Sequence, residues 1–236
     1  MLEIKNFTKH YGNFKAVDGL NLTVNDGEIY GFIGHNGAGK STTIKAVVGA
    51  LDFNEGEILI NGISIKNDPM ACKQITAYVP DNPDIYDYLS GIQYLNFICD
   101  IFGVNKADRN ERIKKYADDF EMSANLGDLI SSYSHGMKQK LVIISALIHN
   151  PAFMVLDEPF VGLDPIASHK LKQIMREKCN EGGAFFFSTH VLEVAEKLCD
   201  RIGIIKRGKL VAEGTVAEVV GNKSLESFFL EIEKDA

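Results

Sequence analysis

The chain has 236 residues, the size of one large domain or of one domain carrying an inserted subdomain. Apolar residues make up 45% and charged residues 24%, which excludes disorder, a collagen-like repeat and a disulfide scaffold. The 25 Lys and Arg against 32 Asp and Glu leave a net charge of −7, which argues against a nucleic-acid clamp with its basic surface. Cys72, Cys99, Cys179 and Cys199 stand far apart with no CxxC spacing. They read as small hydrophobes of a reducing compartment rather than as a metal or redox pair. The first residues show neither a basic n-region nor an apolar h-region, so no secretory signal is expected. The longest apolar run, 141–148, falls far short of the ~20 residues that span a bilayer. Any role at a membrane therefore requires a partner.

In chain order, Leu2, Ile4 and Phe7, then Leu20, Leu22 and Val24, alternate with polar residues and predict two half-buried strands. Residues 28–34 are more continuously apolar and predict a buried strand, with a helix from about 39 to 50. Further strands are predicted at 57–61 and 75–79. From 85 to 148 the spacing turns helical, as in Tyr94/Phe97/Ile98/Ile101 and Ile113/Tyr116/Ala117/Phe120. Strand character returns at 153–157 and 184–188 with a helix between them, and 202–212 read as a hairpin about Arg207 and Gly208. The last dozen residues read as a short amphipathic tail. The fold class is α/β: a mostly parallel sheet covered on both faces, an antiparallel β flank and an inserted helical subdomain.

Gly34-His35-Asn36-Gly37-Ala38-Gly39-Lys40-Ser41 fits GxxxxGK[ST] between a predicted strand and a predicted helix. Its glycines let main-chain N–H groups close around phosphate oxygens, Lys40 reaches the β- and γ-phosphates, and Ser41 can ligate Mg²⁺. The helix that opens there adds its positive end. This is the signature of a P-loop NTPase. Asn105-Lys-Ala-Asp108 matches the guanine-reading NKxD, but it follows helical residues and a Gly instead of a buried strand, and no DxxG stands well upstream. A surface turn between two helices is the better reading. The apolar run 153–157 ends in Asp157 and Glu158. Asp157 can hold Mg²⁺, and Glu158 can polarise the water that attacks a γ-phosphate.

Four further motifs occur in a fixed order: Tyr11-Gly12, Ser134-His135-Gly136-Met137-Lys138-Gln139, Gly162-Leu163-Asp164 and Ser188-Thr189-His190. With the two phosphate-site motifs they make the chain resemble, over nearly its whole length, the ATP-binding subunits of ABC transporters. The resemblance implies that ATP and Mg²⁺ are the cofactors. Tyr11 would stack on adenine, a contact worth on the order of 1–3 kcal/mol. Gly34, His35, Asn36, Gly37, Ala38, Gly39, Lys40, Ser41 and Thr42 would cradle the phosphates. Ser41, Asp81 and Asp157 would serve the metal, and Glu158 and His190 hydrolysis. Ser134 and Gly136 begin a helix and form a second anion site; two subunits would pack head to tail so that each signature caps the ATP of the other, with Asp164 at the seam. The ATP-binding core would comprise 1–84 and 149–224, the helical signature subdomain 85–148 and the tail 225–236. The expected partners are a separate transmembrane permease and a second ATPase subunit, identical or different, with no nucleic acid. The expected location is cytoplasmic, against the inner face of the membrane.

Two departures narrow the resemblance. Asp81 stands where the family usually has Gln, and the signature reads Tyr-Ser-His-Gly-Met instead of Leu-Ser-Gly-Gly-Gln. Together they resemble the drug, bacteriocin and lantibiotic exporters of Gram-positive bacteria. Asp84 to Leu89 falls where the family meets its membrane subunit, and Tyr86, Tyr88 and Leu89 are a contact if exposed and core if buried. The alternative is a non-transport ABC ATPase, regulatory or DNA-maintaining. The short span between phosphate loop and signature lacks sustained heptads, and the acidic balance speaks against a DNA clamp. A small-molecule kinase would leave the signature and His190 unexplained.

Overall fold

The computed structural model describes residues 1–234. The chain runs β1 (Leu2–Tyr11), β2 (Phe14–Val24), β3 (Ile29–Ile33), α1 (Lys40–Val47), β4 (Glu55–Ile60), β5 (Ile63–Ser64), α2 (Pro69–Ile75) and β6 (Thr76–Val79). Three helices come next, α3 (Gly91–Ile101), α4 (Lys106–Asp119) and α5 (His135–Ile148). The remainder is β7 (Phe153–Asp157), α6 (Pro165–Asn180), β8 (Ala184–Thr189), α7 (Leu192–Leu198), β9 (Arg201–Lys206), β10 (Lys209–Thr215), α8 (Val216–Val220) and α9 (Leu225–Lys234).

Two sheets form the frame. The first is antiparallel, in the order β2-β1-β4-β5. The second has the order β10-β9-β3-β8-β7-β6; its strands pair in parallel except for the β9–β10 hairpin at one edge. The patterning explains the difference. β3, β7 and β8 are buried at every residue, as strands covered on both faces must be, and their sequences IYGFI, FMVLD and AFFFST are accordingly near-continuous in apolar side chains. β1 and β2 mix buried with exposed positions, as the flank of a core requires. A shared cluster of Leu2, Leu22, Ile44, Val47, Phe153 and Phe186 joins the two sheets through α1. Each such side chain stabilises the fold by about 1.5–3 kcal/mol through burial.

The helices α3, α4 and α5 lie between β6 and β7 and share one core with the parallel sheet: Leu95, Tyr116, Leu141 and Leu147 cluster with Met154, Leu156 and Phe187. Ser90 and Gln93 form a capping box on α3. Asn105 accepts from the N–H groups of Ala107 and Asp108 and so caps α4, while Asp108 pairs with Arg112 one turn on. The NKxD-like tetrapeptide is thus the start of a helix.

The structure also differs from the sequence reading. α1 stops at Val47 and does not reach 50, because Gly49 takes a left-handed φ of +66°. The helices α2, α7 and α8 are not foreseen; each spans only 5 to 7 residues, too few for a helical period to show. The expected tail is an ordered helix: Leu225 and Phe229 of α9 are buried against Ile33, Ala195 and Ile204. Its last two residues, 235 and 236, lie outside the described residues. Among the described residues, no helix is long and apolar enough to cross a membrane.

Candidate functional site

The loop between β3 and α1 is built by close approach. A Cβ on Gly34 would lie 2.5 Å from the Ile205 carbonyl, and one on Gly39, at φ +114°, would lie 2.8 Å from that of Ala16. Only glycine fits either position. The loop is thereby pinned between the β1–β2 hairpin and β9. Lys40, the first residue of α1, is buried, and its Nζ donates to the carbonyls of Gly34 at 2.6 Å and His35 at 3.2 Å. Desolvation lowers the ammonium's pKa, and the charges of Glu158, Asp157 and Asp81 oppose that shift. Three carboxylates at the ends of β6 and β7 therefore act electrostatically on one lysine.

Asp157 ends β7, and its Oδ1 accepts from the Ser188 hydroxyl on β8 at 2.5 Å. Glu158 comes next with φ +49°, the left-handed region that a non-glycine residue rarely occupies. Its Oε1 lies 2.9 Å from His190 Nδ1, and its Oε2 accepts from the His190 main-chain N–H at 3.3 Å. Both carboxylate oxygens of Glu158 are thus held by His190. Ser41, Asp81 and Asp157 offer hydroxyl and carboxylate oxygens. Among the described residues, no group of three or more His, Cys, Asp or Glu forms a metal cage. This donor set fits Mg²⁺, which takes one or two carboxylates and completes its octahedron with water and substrate phosphates.

A cavity of about 370 Å³ runs from Lys40, Ser41 and Thr42 past His35 and Asn36 to Tyr11 and Phe14. Tyr11 and Phe14 are opposed across the β1–β2 turn, and Tyr11 is 48% exposed. Lys9 Nζ sits 5.2 Å from the centre of the Tyr11 ring. Tyr11 and the phosphate loop thus line one cavity, the charges of Asp81, Asp157 and Glu158 act on its Lys40, and His190 is bonded to Glu158.

Ser134, Gly136 and Asp164 form a separate cluster. Ser134 caps α5 by accepting from the Met137 N–H at 3.2 Å, and the segment Ser134-His135 is exposed. Gly162 rests on this helix start: a Cβ on Gly136 would lie 2.8 Å from its carbonyl, and a Cβ on Gly162 would lie 2.8 Å from the His135 ring. Asp164 caps α6 through the Ala167 N–H and pairs with Lys140 at 2.6 Å. These two contacts hold the Asp164 carboxyl below the usual carboxylate range. Among the described residues, no hydrogen bond or ion pair links this cluster to the phosphate loop. Sequence reasoning assigns Ser188 and Lys140 no role. The available signals are a hydroxyl ending an otherwise apolar strand and a cation six residues after Ser134.

A second concavity, of about 470 Å³, lies between the parallel sheet and the helices α3 and α5. Tyr94, Ile98, Phe102 and His149 line it, and His149 stacks on Phe102 at 3.7 Å. Burial pushes His149 down to about 4, so it is a neutral ring at pH 7. Beside it, Tyr86 packs against Tyr88, Tyr94 and Phe97 in an aromatic patch, with Tyr88 74% exposed and Leu89 half-buried.

The chain matches the family model described as "ABC transporter" over residues 17–161. It is 33% identical to the ABC-type transporter ATP-binding protein EcsA of Bacillus subtilis, over all of this chain and 97% of that one. It is 32% identical to the linearmycin resistance ATP-binding protein LnrL of the same organism, over 93% of this chain and 70% of that one. A solved structure described as the ATP-binding subunit of an ABC transporter superposes with a TM-score of 0.95 at 32% identity, covering 99% of both chains. With its phosphate loop, paired carboxylates and signature helix on this fold, the chain belongs to the ATP-binding subunits of the ABC transporter family.

Proposed function

We propose that this protein is an Mg²⁺-dependent ATPase that powers export through a separate transmembrane permease, to which it binds on the cytoplasmic side. The observation that carries the reading is a Glu158 whose two oxygens are both fixed by His190, beside a buried Lys40 that feels the charges of Glu158, Asp157 and Asp81. Tyr11 stacks on the base, and the loop 34–42 binds the phosphates through main-chain N–H groups and Lys40. When bound, Mg²⁺ neutralises charge on the β- and γ-phosphates. Ser41, Asp157 and Asp81 would hold it. Glu158 takes the proton of the attacking water, and His190 fixes the carboxylate in line. General-base assistance contributes about 10²–10⁴-fold, so Glu158→Gln should bind ATP and lose turnover by that factor. Wild-type turnover in that variant would refute the assignment.

The signature cluster has an exposed helix start and, among the described residues, no hydrogen bond or ion pair to the chain's own phosphate loop, which supports pairing with a second ATPase subunit in which Ser134 and Gly136 cap the other ATP. The exposed aromatic patch of Tyr86 and Tyr88 beside the apolar groove supports docking of the permease, since interface cores favour aromatics. The relative named for linearmycin resistance supports export of a drug-like cargo. Affinity purification of tagged Glu158→Gln from detergent-solubilised native membranes with Mg-ATP tests the assembly. A multi-span hydrophobic protein in the eluate supports the reading. Soluble partners alone would move it to the non-transport ATPase. Replacing Tyr86 and Tyr88 by Ala should abolish transport while sparing basal ATPase activity.

A further inference from the structure

We infer that Ser188 is a positioning residue that sets the two adjacent carboxylates Asp157 and Glu158 to their separate tasks, an inference that rests on the hydrolytic reading above. The side chain is fully buried at the end of β8, directly opposite Asp157 in the parallel register with β7. A serine hydroxyl has one hydrogen to give and lone pairs to accept with. Here the hydrogen goes to Asp157 Oδ1, at 2.5 Å, and the oxygen accepts from the main-chain N–H of Glu158, at 3.1 Å. The same N–H reaches the Ser188 carbonyl at 3.3 Å, so both polar groups of one residue clasp a single amide.

The position of that amide matters because Glu158 lies in the left-handed region, with φ +49°. A non-glycine residue holds that conformation only where its surroundings over-determine it. Neighbouring residues in an extended strand point to opposite faces. The left-handed Glu158 breaks that alternation. Asp157 stays within reach of Ser188 while the Glu158 carboxylate meets His190, two residues beyond Ser188 on the same strand end. Ser188 therefore reads the end of β7 twice, through the Asp157 side chain and the Glu158 backbone. His190 reads it a third time.

Ser188→Ala removes the donor to Asp157 and one of the two acceptors of the Glu158 amide. Outer-shell partners of metal ligands typically matter by about 10–100-fold, and a loss of turnover in that range is expected. The affinity for ATP in the absence of Mg²⁺ should stay unchanged, because Lys40 and the loop are untouched. Mn²⁺ titration of the nucleotide-loaded protein should show weaker metal binding by a similar factor. In the nucleotide-free protein the Glu158 amide should exchange with solvent at least about tenfold faster, a signature independent of turnover. Ser188→Cys, which keeps the shape with a weak donor, serves if the alanine variant does not fold, and the same losses are expected. Wild-type turnover, metal binding and amide exchange in either variant would overturn the inference. Glu158→Gln in the same assays separates the two levels. If it is inactive while Ser188→Ala matches wild type, only the role of Ser188 falls; if it turns over normally, the hydrolytic reading itself falls.

Discussion

Two helix starts in this molecule carry the proposed phosphate contacts, and they are built differently. At α1 the loop is closed, pinned by glycines against β9 and the β1–β2 hairpin, and ends in a buried lysine that feels the charges of three carboxylates. At α5 the helix start is open: Ser134 is a cap, the segment is exposed, and Lys140, six residues further along, is engaged by Asp164. The first has the charge to bind a nucleotide within one chain. The second offers main-chain N–H groups and a helix dipole, which suits a cap on a phosphate already held by another subunit. The asymmetry implies that damage to α1 acts on nucleotide binding, whereas damage to α5 acts on subunit closure and hydrolysis.

The strongest way to break the comparison is at Lys40. Removing one member of a buried, hydrogen-bonded charged set costs about 2–5 kcal/mol, so Lys40→Ala should weaken ATP binding at least about 30-fold, read by fluorescent-nucleotide titration. Ser134→Glu places a carboxylate where the second phosphate contact is expected. Like-charge juxtaposition should lower turnover about 10–100-fold while a single chain still binds ATP with wild-type affinity. Equal losses of affinity in both variants would erase the distinction. Tyr11→Ala should raise the KM for ATP about 10-fold with kcat unchanged, since a stacked base interacts equally in ground and transition states.

The smallest effect concerns the Asp164–Lys140 pair. Asp164 is held below its ordinary range, so the stability it supplies is present above its unfolded pKa and lost as pH falls through the folded value. The pair is partly exposed to solvent and its contribution is under about 1 kcal/mol. Lys140→Ala should therefore be slightly less stable than wild type at pH 7 in urea unfolding, and the difference should vanish once the Asp164 carboxyl is protonated in both states.

The closed site was largely legible because its signals are local. The loop 34–41 is contiguous, and Asp157-Glu158 is a dipeptide at the end of an apolar run. The parallel sheet was legible for the same reason, since burial on both faces writes itself into β3, β7 and β8 as unbroken apolar sequence. What stayed hidden depends on pairing between distant residues. Ser188 meets Asp157 across 31 positions, and that contact exists only because β7 and β8 are neighbours in a fixed register. The Gly162–His135 contact likewise arises from packing between elements. The segment that forms α9 was legible only as a short amphipathic tail, because the partners of its buried anchors Leu225 and Phe229 lie on α7 and β9.

The most direct test of the central claim is a single-turnover experiment with Glu158→Gln. The variant is loaded with Mg-ATP, free nucleotide is removed, and the bound nucleotide is identified over time beside the wild type. The account predicts that the variant retains intact ATP while the wild type converts it to ADP. ADP appearing on the variant at the wild-type rate would contradict it.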